Sequence, residues 1–296
     1  MFSSERSFSD WQLTGFGNAP AYLFKTIEST HKLMKAKAAA GEIEPGTLIV
    51  ADFQSNGHGR HERTWDSPAG KNLYFNILVP LDNIPANRFA QITQVTALTF
   101  AETFNGLQKD ISTVHSERNV NSATTGSPKI TVKWPNDILY GKSKFCGILA
   151  EIVFMPPLQS KPRPALSMGI GINVNSEPED YAHLHRSVTT LKTIIGSPIN
   201  REKLLQQLIG NLERAIGQFK SFGIRPWVTA WKHMDQFIGA RGTIVENNHC
   251  TDQNHDSGEG AIKKTGTILD MQDDGSLLFK CDDGKIENVL SADLEI

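Results

Sequence analysis

Apolar residues recur along this chain with two periods. Phe89, Ile92, Val95, Phe100 and Phe104 fall at helical spacing. So do Leu204, Leu205, Leu208, Leu212, Ile216 and Phe219, behind Asn200, a residue suited to capping a helix. That second stripe is ordinary core packing and carries no function. Ser29 or Thr30 can cap a helix over Leu33–Ala40 that stops at Gly41. The other period is two. In Asn72–Val79, Leu73, Phe75, Ile77 and Val79 alternate with Asn72, Tyr74, Asn76 and Leu78, which predicts a strand. Further strands are predicted over Tyr22–Ile27, Thr47–Phe53, Ile130–Trp134, Phe145–Met155 and Ala165–Val174. The four prolines in 156–164 read as a connection, and the polar stretch His115–Lys129 as an exposed excursion.

From about Gln236 the pattern changes to short strands with turn signals between them. Asp273–Gly275 and Asp282–Gly284 each end in the Asp-Gly pair that favours a tight hairpin. The expected organisation is an N-terminal extension (1–20), a mixed domain (21–235) and a small all-β domain (236–296) with a mobile polar loop, Asn247–Gly260. The length of 296 residues agrees with two domains and is enough to bury a sizeable core. Thirty Lys and Arg against 32 Asp and Glu leave a net charge of −2, with no bulk footprint for nucleic acid or an anionic membrane. No apolar run is long enough to cross a bilayer, and the polar start, Met1–Trp11, is unlike a signal peptide. Cys146, Cys250 and Cys281 are odd in number and scattered, so no disulfide framework is implied. The expected location is the cytoplasm.

Three segments carry candidate chemistry. The first runs Gly57-His58-Gly59-Arg60-His61-Glu62-Arg63-Thr64-Trp65-Asp66-Ser67-Pro68-Ala69-Gly70-Lys71-Asn72-Leu73-Tyr74. Its glycines allow close backbone approach, its arginines are planar forks for phosphate or carboxylate, and Trp65 offers a flat aromatic face. Glu62 breaks the dinucleotide fingerprint, and Pro135 removes the first glycine a Walker loop would need before Gly141-Lys142-Ser143. The second is Lys133-Trp134-Pro135-Asn136-Asp137 with Lys144-Phe145-Cys146-Gly147-Ile148-Leu149-Ala150-Glu151, two lysines flanking one turn. The third is Gly169-Ile170-Gly171-Ile172-Asn173-Val174-Asn175, where alternate glycines bare one face of a strand to a ligand or to close packing. Three other features stay without a role. His249, Cys250 and His255 lack zinc spacing. Cys146 reads as packing, and His31 as either a surface helix residue or a pocket edge, with the surface favoured.

Taken in order, these segments resemble the biotin protein ligase family, whose pattern is Gly-Arg-Gly-Arg-x-x-Arg-x-Trp-x-Ser-Pro-x-Gly-x-Asn-Leu-Tyr, then Lys-Trp-Pro-Asn-Asp, Lys-x-x-Gly-Ile-Leu-x-Glu and Gly-x-Gly-Ile-Asn. Residues 57–74, 133–137, 144–151 and 169–173 carry the match. The resemblance implies an α+β fold. A mixed, largely antiparallel sheet with helices on one side, like a class II aminoacyl-tRNA synthetase core, is followed by a small C-terminal β-barrel. It implies ATP, biotin as substrate and Mg²⁺, with biotin activated to biotinyl-5′-AMP and transferred to a lysine of the biotin carboxyl carrier protein of acetyl-CoA carboxylase or a related carboxylase. By position, Lys144 is implied at the biotin carboxylate and α-phosphate, with Arg60 and Arg63 on phosphate and adenylate. Trp65 is implied near the adenine, and Ser29, Thr30 and Gln54 on the biotin rings. Gly57, His58 and Gly147 fall beside biotin, and Lys133, Asn136 and Asn173 on the nucleotide. Asp137 falls on the metal side and is a candidate to help deprotonate the acceptor lysine.

His58 stands where the family has its first loop arginine, and Glu62 where a glycine is common. Both bear on how well the loop retains the adenylate. Only about 20 residues precede the catalytic region, too few for the helix-turn-helix unit of repressor relatives, so no operator binding is expected. The rivals are a lipoate–protein ligase and a biotin sensor without turnover. Nucleic-acid binding by the C-terminal unit finds no clustered Lys and Arg there. Monomer and homodimer stay open.

Overall fold

The computed structural model describes residues 6–60, 63–116, 129–184, 187–246, 262–290 and 292–296. A seven-stranded sheet dominates it, built from β1 (Ala21–Phe24), β2 (Leu48–Ala51), β3 (Leu73–Pro80), β4 (Ile130–Lys133), β5 (Asp137–Tyr140), β6 (Ser143–Leu158) and β7 (Lys161–Ile172). The order is β1-β2-β3-β7-β6-β5-β4, and every pairing except the parallel β1–β2 is antiparallel. The mixed sheet is therefore as expected. The helices, however, lie on both faces and not on one. The even residues of β2, with Leu73, Phe75, Ile77 and Val79 of β3, pack against α2 (Gln91–Ser116), α4 (Arg201–Phe222) and α5 (Arg225–Met234). Ile49, Leu78, Val153, Met155 and Ala165 point the other way, against Met34 and Ala38 of α1 (Thr30–Ala40). Strand alternation requires this, because the sheet is apolar on both faces.

Local chemistry accounts for the helix ends. The Ser29 hydroxyl accepts from the Lys32 amide at 3.4 Å, and Gly41 ends α1 with φ 72°. The Asn200 side chain accepts from the Lys203 amide at 3.0 Å to start α4, whose leucine stripe is buried as the spacing predicts. A short helix, α3 (Leu191–Ile195), starts on Thr190. The polar start of the chain is not a bare tail, since Phe8, Trp11 and Phe16 are buried. The expected proline connection is instead the far end of the β6–β7 hairpin, turning at Gln159–Ser160 with φ 49° and 62°. Pro156, Pro157, Pro162 and Pro164 are tolerated there. The hairpin projects past β5 and β3, so no neighbour needs their missing N–H groups.

The C-terminal unit holds β8 (Arg241–Glu246), β9 (Ile262–Met271), β10 (Leu277–Cys281), β11 (Ile286–Val289) and β12 (Asp293–Glu295) in the order β11-β10-β9-β8-β12. Both Asp-Gly turns form, with Gly275 and Gly284 at φ 81° and 89°. The expected barrel is not closed. Short β11 and β12 stand as edges of an open five-stranded sheet among the described residues. The core is continuous across the two units, and the Trp134 indole N–H donates to the Gly275 carbonyl at 3.1 Å. The expected mobile loop, 247–260, lies outside the described residues, as do 117–128 and Glu62. No helix among the described residues is long and apolar enough to cross a membrane.

Candidate active site

The cavity opens on the α1 face of the sheet, where β6 and β7 lack side chains. Gly147 and Gly171 are register partners, and Leu149 faces Gly169. The bare strip is covered by Trp65. A methyl group on Gly171 would lie 2.4 Å from the indole ring, and one on Gly147 would lie 2.9 Å from it. The alternate glycines thus seat an aromatic plate directly on peptide units. Lys144 reaches over the same strip, its Nζ 5.6 Å from the Trp65 ring centroid, within cation–π range.

At one end of the cavity stand Ser29, Thr30 and Gln54. Gln54 Oε1 accepts from the Thr30 amide at 2.8 Å and the Thr30 hydroxyl at 3.0 Å, and its Nε2 donates to Ser67 Oγ at 3.3 Å. The helix cap and the loop are thereby joined. His31 also lines this end and is 6% exposed. Of its two expected positions, the pocket edge holds and the favoured surface does not. Its Nδ1 lies 3.0 Å from Asn76 Nδ2 and 3.3 Å from Ser167 Oγ, and its Nε2 lies 3.3 Å from Glu151 Oε1. The close approach of His31 outweighs burial, and with the help of Lys35 it draws the Glu151 carboxyl down to about 2.

The other end is cationic. Asp137 Oδ1 is 2.5 Å from Lys144 Nζ, and its Oδ2 is 3.6 Å from Lys133 Nζ. Burial pushes the Asp137 carboxyl up, but the charges of Lys144, Lys133 and Arg60 prevail and hold it below the usual range. Asn136 Nδ2 donates to the Ile148 carbonyl at 2.5 Å and braces the turn against β6. Arg60 and Arg63 line the cavity and pair with Asp293 at 3.2 and 3.5 Å. Asp293 escaped sequence analysis, since it belongs to no motif and approaches from the C-terminal unit. Cys146 is buried beneath, its thiol pushed up by burial, and it acts as packing.

Of the residues singled out from sequence, Ser29, Thr30, Gln54, His58, Arg60, Arg63, Trp65, Asn136, Asp137, Lys144 and Gly147 line this one cavity. Lys133 stands behind Asp137. Asn173 lines a smaller recess beyond Trp65, with Tyr181, Leu184 and Val188. Gly57 does not line the cavity. It lets the loop close on itself, because a Cβ there would meet the Trp65 carbonyl at 2.5 Å. His58 donates from Nδ1 to the Asn56 carbonyl at 2.6 Å. The cavity pairs a neutral hydrogen-bonding end with a cationic end, so it can hold an acid by its polar head and bring its carboxylate to a phosphate.

Comparison with known proteins places the chain in a family. The family model for the biotin/lipoate A/B protein ligase family matches residues 23–173. The bifunctional ligase/repressor BirA of Bacillus subtilis is 28% identical over 278 residues, which cover 93% of this chain and 72% of that protein. The biotin–[acetyl-CoA-carboxylase] ligase of Mycobacterium tuberculosis is 27% identical over 219 residues, 73% of this chain and 72% of that one. The fold is also that of the Aquifex aeolicus biotin protein ligase solved with biotin and ATP. That structure gives a TM-score of 0.67 at 24% identity, covering 93% of this chain and 97% of the other. The matched segment contains the glycine strip, both lysines and the arginine loop, and the chain accordingly belongs to the biotin/lipoate A/B protein ligase family and is a ligase.

Proposed function

We propose that this ligase activates biotin with ATP to biotinyl-5′-AMP and passes the biotinyl group to a lysine of a biotin carboxyl carrier domain. The observation that carries the reading is the position of Lys144. Its ammonium lies in the cavity between Trp65, seated on the glycine strip, and Asp137, at the cationic end. In the first step a carboxylate oxygen of biotin bonds to the α-phosphorus and pyrophosphate leaves. Both reactants are anions, and Lys144, Lys133, Arg60 and Arg63 offset their repulsion and the charge that grows on the phosphoryl oxygens. Trp65 shields the mixed anhydride from water. In the second step the acceptor amine bonds to the acyl carbon, AMP leaves, and the amine's proton passes to water. Asp137, held anionic by its lysines, is a weak base and serves to orient the incoming amine.

Among the described residues, Asp137 and Asp293 are the carboxylates lining the cavity, and no group of three or more His, Cys, Asp or Glu could hold a metal. Such a donor set fits Mg²⁺ that arrives on the triphosphate, with Asp137 as its protein ligand. Mg²⁺ would supply neutralisation of phosphate charge. Ser29, Thr30 and Gln54 suit a head group with both N–H and C=O, which favours biotin over lipoate. The test is acid-dependent exchange of labelled pyrophosphate into ATP. Biotin should support exchange and lipoate should not. Exchange with lipoate alone would assign the other branch of the family, and biotin binding without exchange would make the protein a sensor. A carrier domain of acetyl-CoA carboxylase should then gain biotin on one lysine.

A further inference from the structure

Strand β12 is three residues long, yet it is held from both units. It pairs with β8 in the register Asp293 to Val245, Leu294 to Ile244 and Glu295 to Thr243. Leu294 is buried, and its carbonyl accepts from Lys133 Nζ at 3.1 Å. This fixes Asp293 at the cavity wall with its side chain 11% exposed. Its Oδ1 meets Arg60 Nη1 at 3.2 Å and its Oδ2 meets Arg63 Nη2 at 3.5 Å. We propose that Asp293 is a positioning residue that sets Arg60 and Arg63 for the triphosphate, so that the C-terminal unit completes the nucleotide half of the site. The proposal rests on the ligase reading above.

The physical need is visible in the charges. Among the described residues four cations gather here, and two carboxylates sit among them. Asp137 takes the two lysines, and Asp293 takes the two arginines. Arg63 is 63% exposed at the side chain against 24% for Arg60, so packing holds Arg60 in part and Arg63 hardly at all. Without Asp293 the guanidiniums would repel the lysines and spread into water, and each would have to be ordered again when ATP binds. Donors already in place avoid that cost. Asp293 does not have to be displaced by phosphate. A guanidinium has five N–H donors, so one edge stays on the carboxylate while another reaches a phosphate oxygen.

The experiment is biotin-dependent pyrophosphate exchange by the full chain, native and D293N, with ATP and biotin varied separately and biotin affinity measured by calorimetry without ATP. D293N should raise KM for ATP roughly tenfold, keep kcat within about threefold and leave the biotin Kd unchanged. D293E, which keeps the charge, should recover most of the loss. An unchanged or lowered KM for ATP in D293N would overturn the proposal, as would an equal loss of biotin affinity. If D293N melts well below the native protein, D293E and D293Q, alike in length, replace it, and equal KM values for ATP in those two overturn the proposal. A native protein with no biotin-dependent exchange overturns the ligase reading and this role with it. An active native protein with an indifferent D293N overturns this role alone.

Discussion

In the cavity, Asp137 lies 2.5 Å from Lys144 and 3.6 Å from Lys133. At the end of α5, where the chain passes into the C-terminal unit, Asp235 accepts from the Trp231 indole at 3.1 Å and the Phe237 amide at 2.9 Å. Both carboxyls are pushed up by burial. Around Asp137 the full positive charges reverse that push. Around Asp235 neutral donors and a more distant Lys133 do not, and the group rises to about 6. A carboxylate that must stay charged is given lysines, whereas one that only joins two pieces of structure is given N–H groups and titrates near neutrality.

Removing the cation should turn the first site into a copy of the second. Lys144→Ala should lower the exchange rate about a thousandfold or more, with the Asp137 carboxyl moving upward. A loss under tenfold would deny Lys144 its place at the reacting atoms. Asp235 gives the next largest effect, in stability. Its raised value means that its contribution is fully present below about pH 4 and is lost as pH rises through about 6. A carboxyl moved from 3.8 to about 6 is worth up to about 3 kcal/mol. Denaturation of native and D235N protein from pH 4 to 8 should show the native chain losing ground to the variant across that window. A constant difference would refute the assignment.

Glu151 behaves in the opposite sense. Its contribution is present above its ordinary pKa and is lost as pH falls towards about 2. The side chain is 43% exposed, so solvent screening limits it to under about 1 kcal/mol. Glu151→Gln should narrow the gap between stability at pH 5 and at pH 2.5. The smallest expected change is kinetic. His58→Arg restores a long cation on the loop and should slow release of biotinyl-AMP a few-fold, by about 1 kcal/mol. Equal release rates would show that His58 does not limit retention.

The cavity was largely legible in the sequence because its parts are local. Gly57–Tyr74, Lys133–Asp137, Lys144–Glu151 and Gly169–Asn173 each carry their own spacing, and β6–β7 pairing brings two of them into register. What escaped is non-local. Asp293 meets its arginines across more than two hundred residues. His31 follows a good cap, yet its burial is decided by Asn76, Ser167 and Glu151 on the sheet. Prolines 156–164 looked like a connection because sequence does not show that the hairpin outruns its neighbours. Closure of the C-terminal sheet was equally beyond reach, because it depends on whether its edge strands meet.

Gly147 and Gly171 face each other beneath Trp65, and a single added methyl group at either would collide with the ring. The pocket floor is therefore made of peptide units, held at fixed spacing by the hydrogen bonds of the sheet. Rotamers cannot adjust it, and no residue larger than glycine offers a graded step. The height of the Trp65 ring in the cavity is thus set by the backbone beneath it, and any side chain added there would lift the ring and narrow the space left for a ligand.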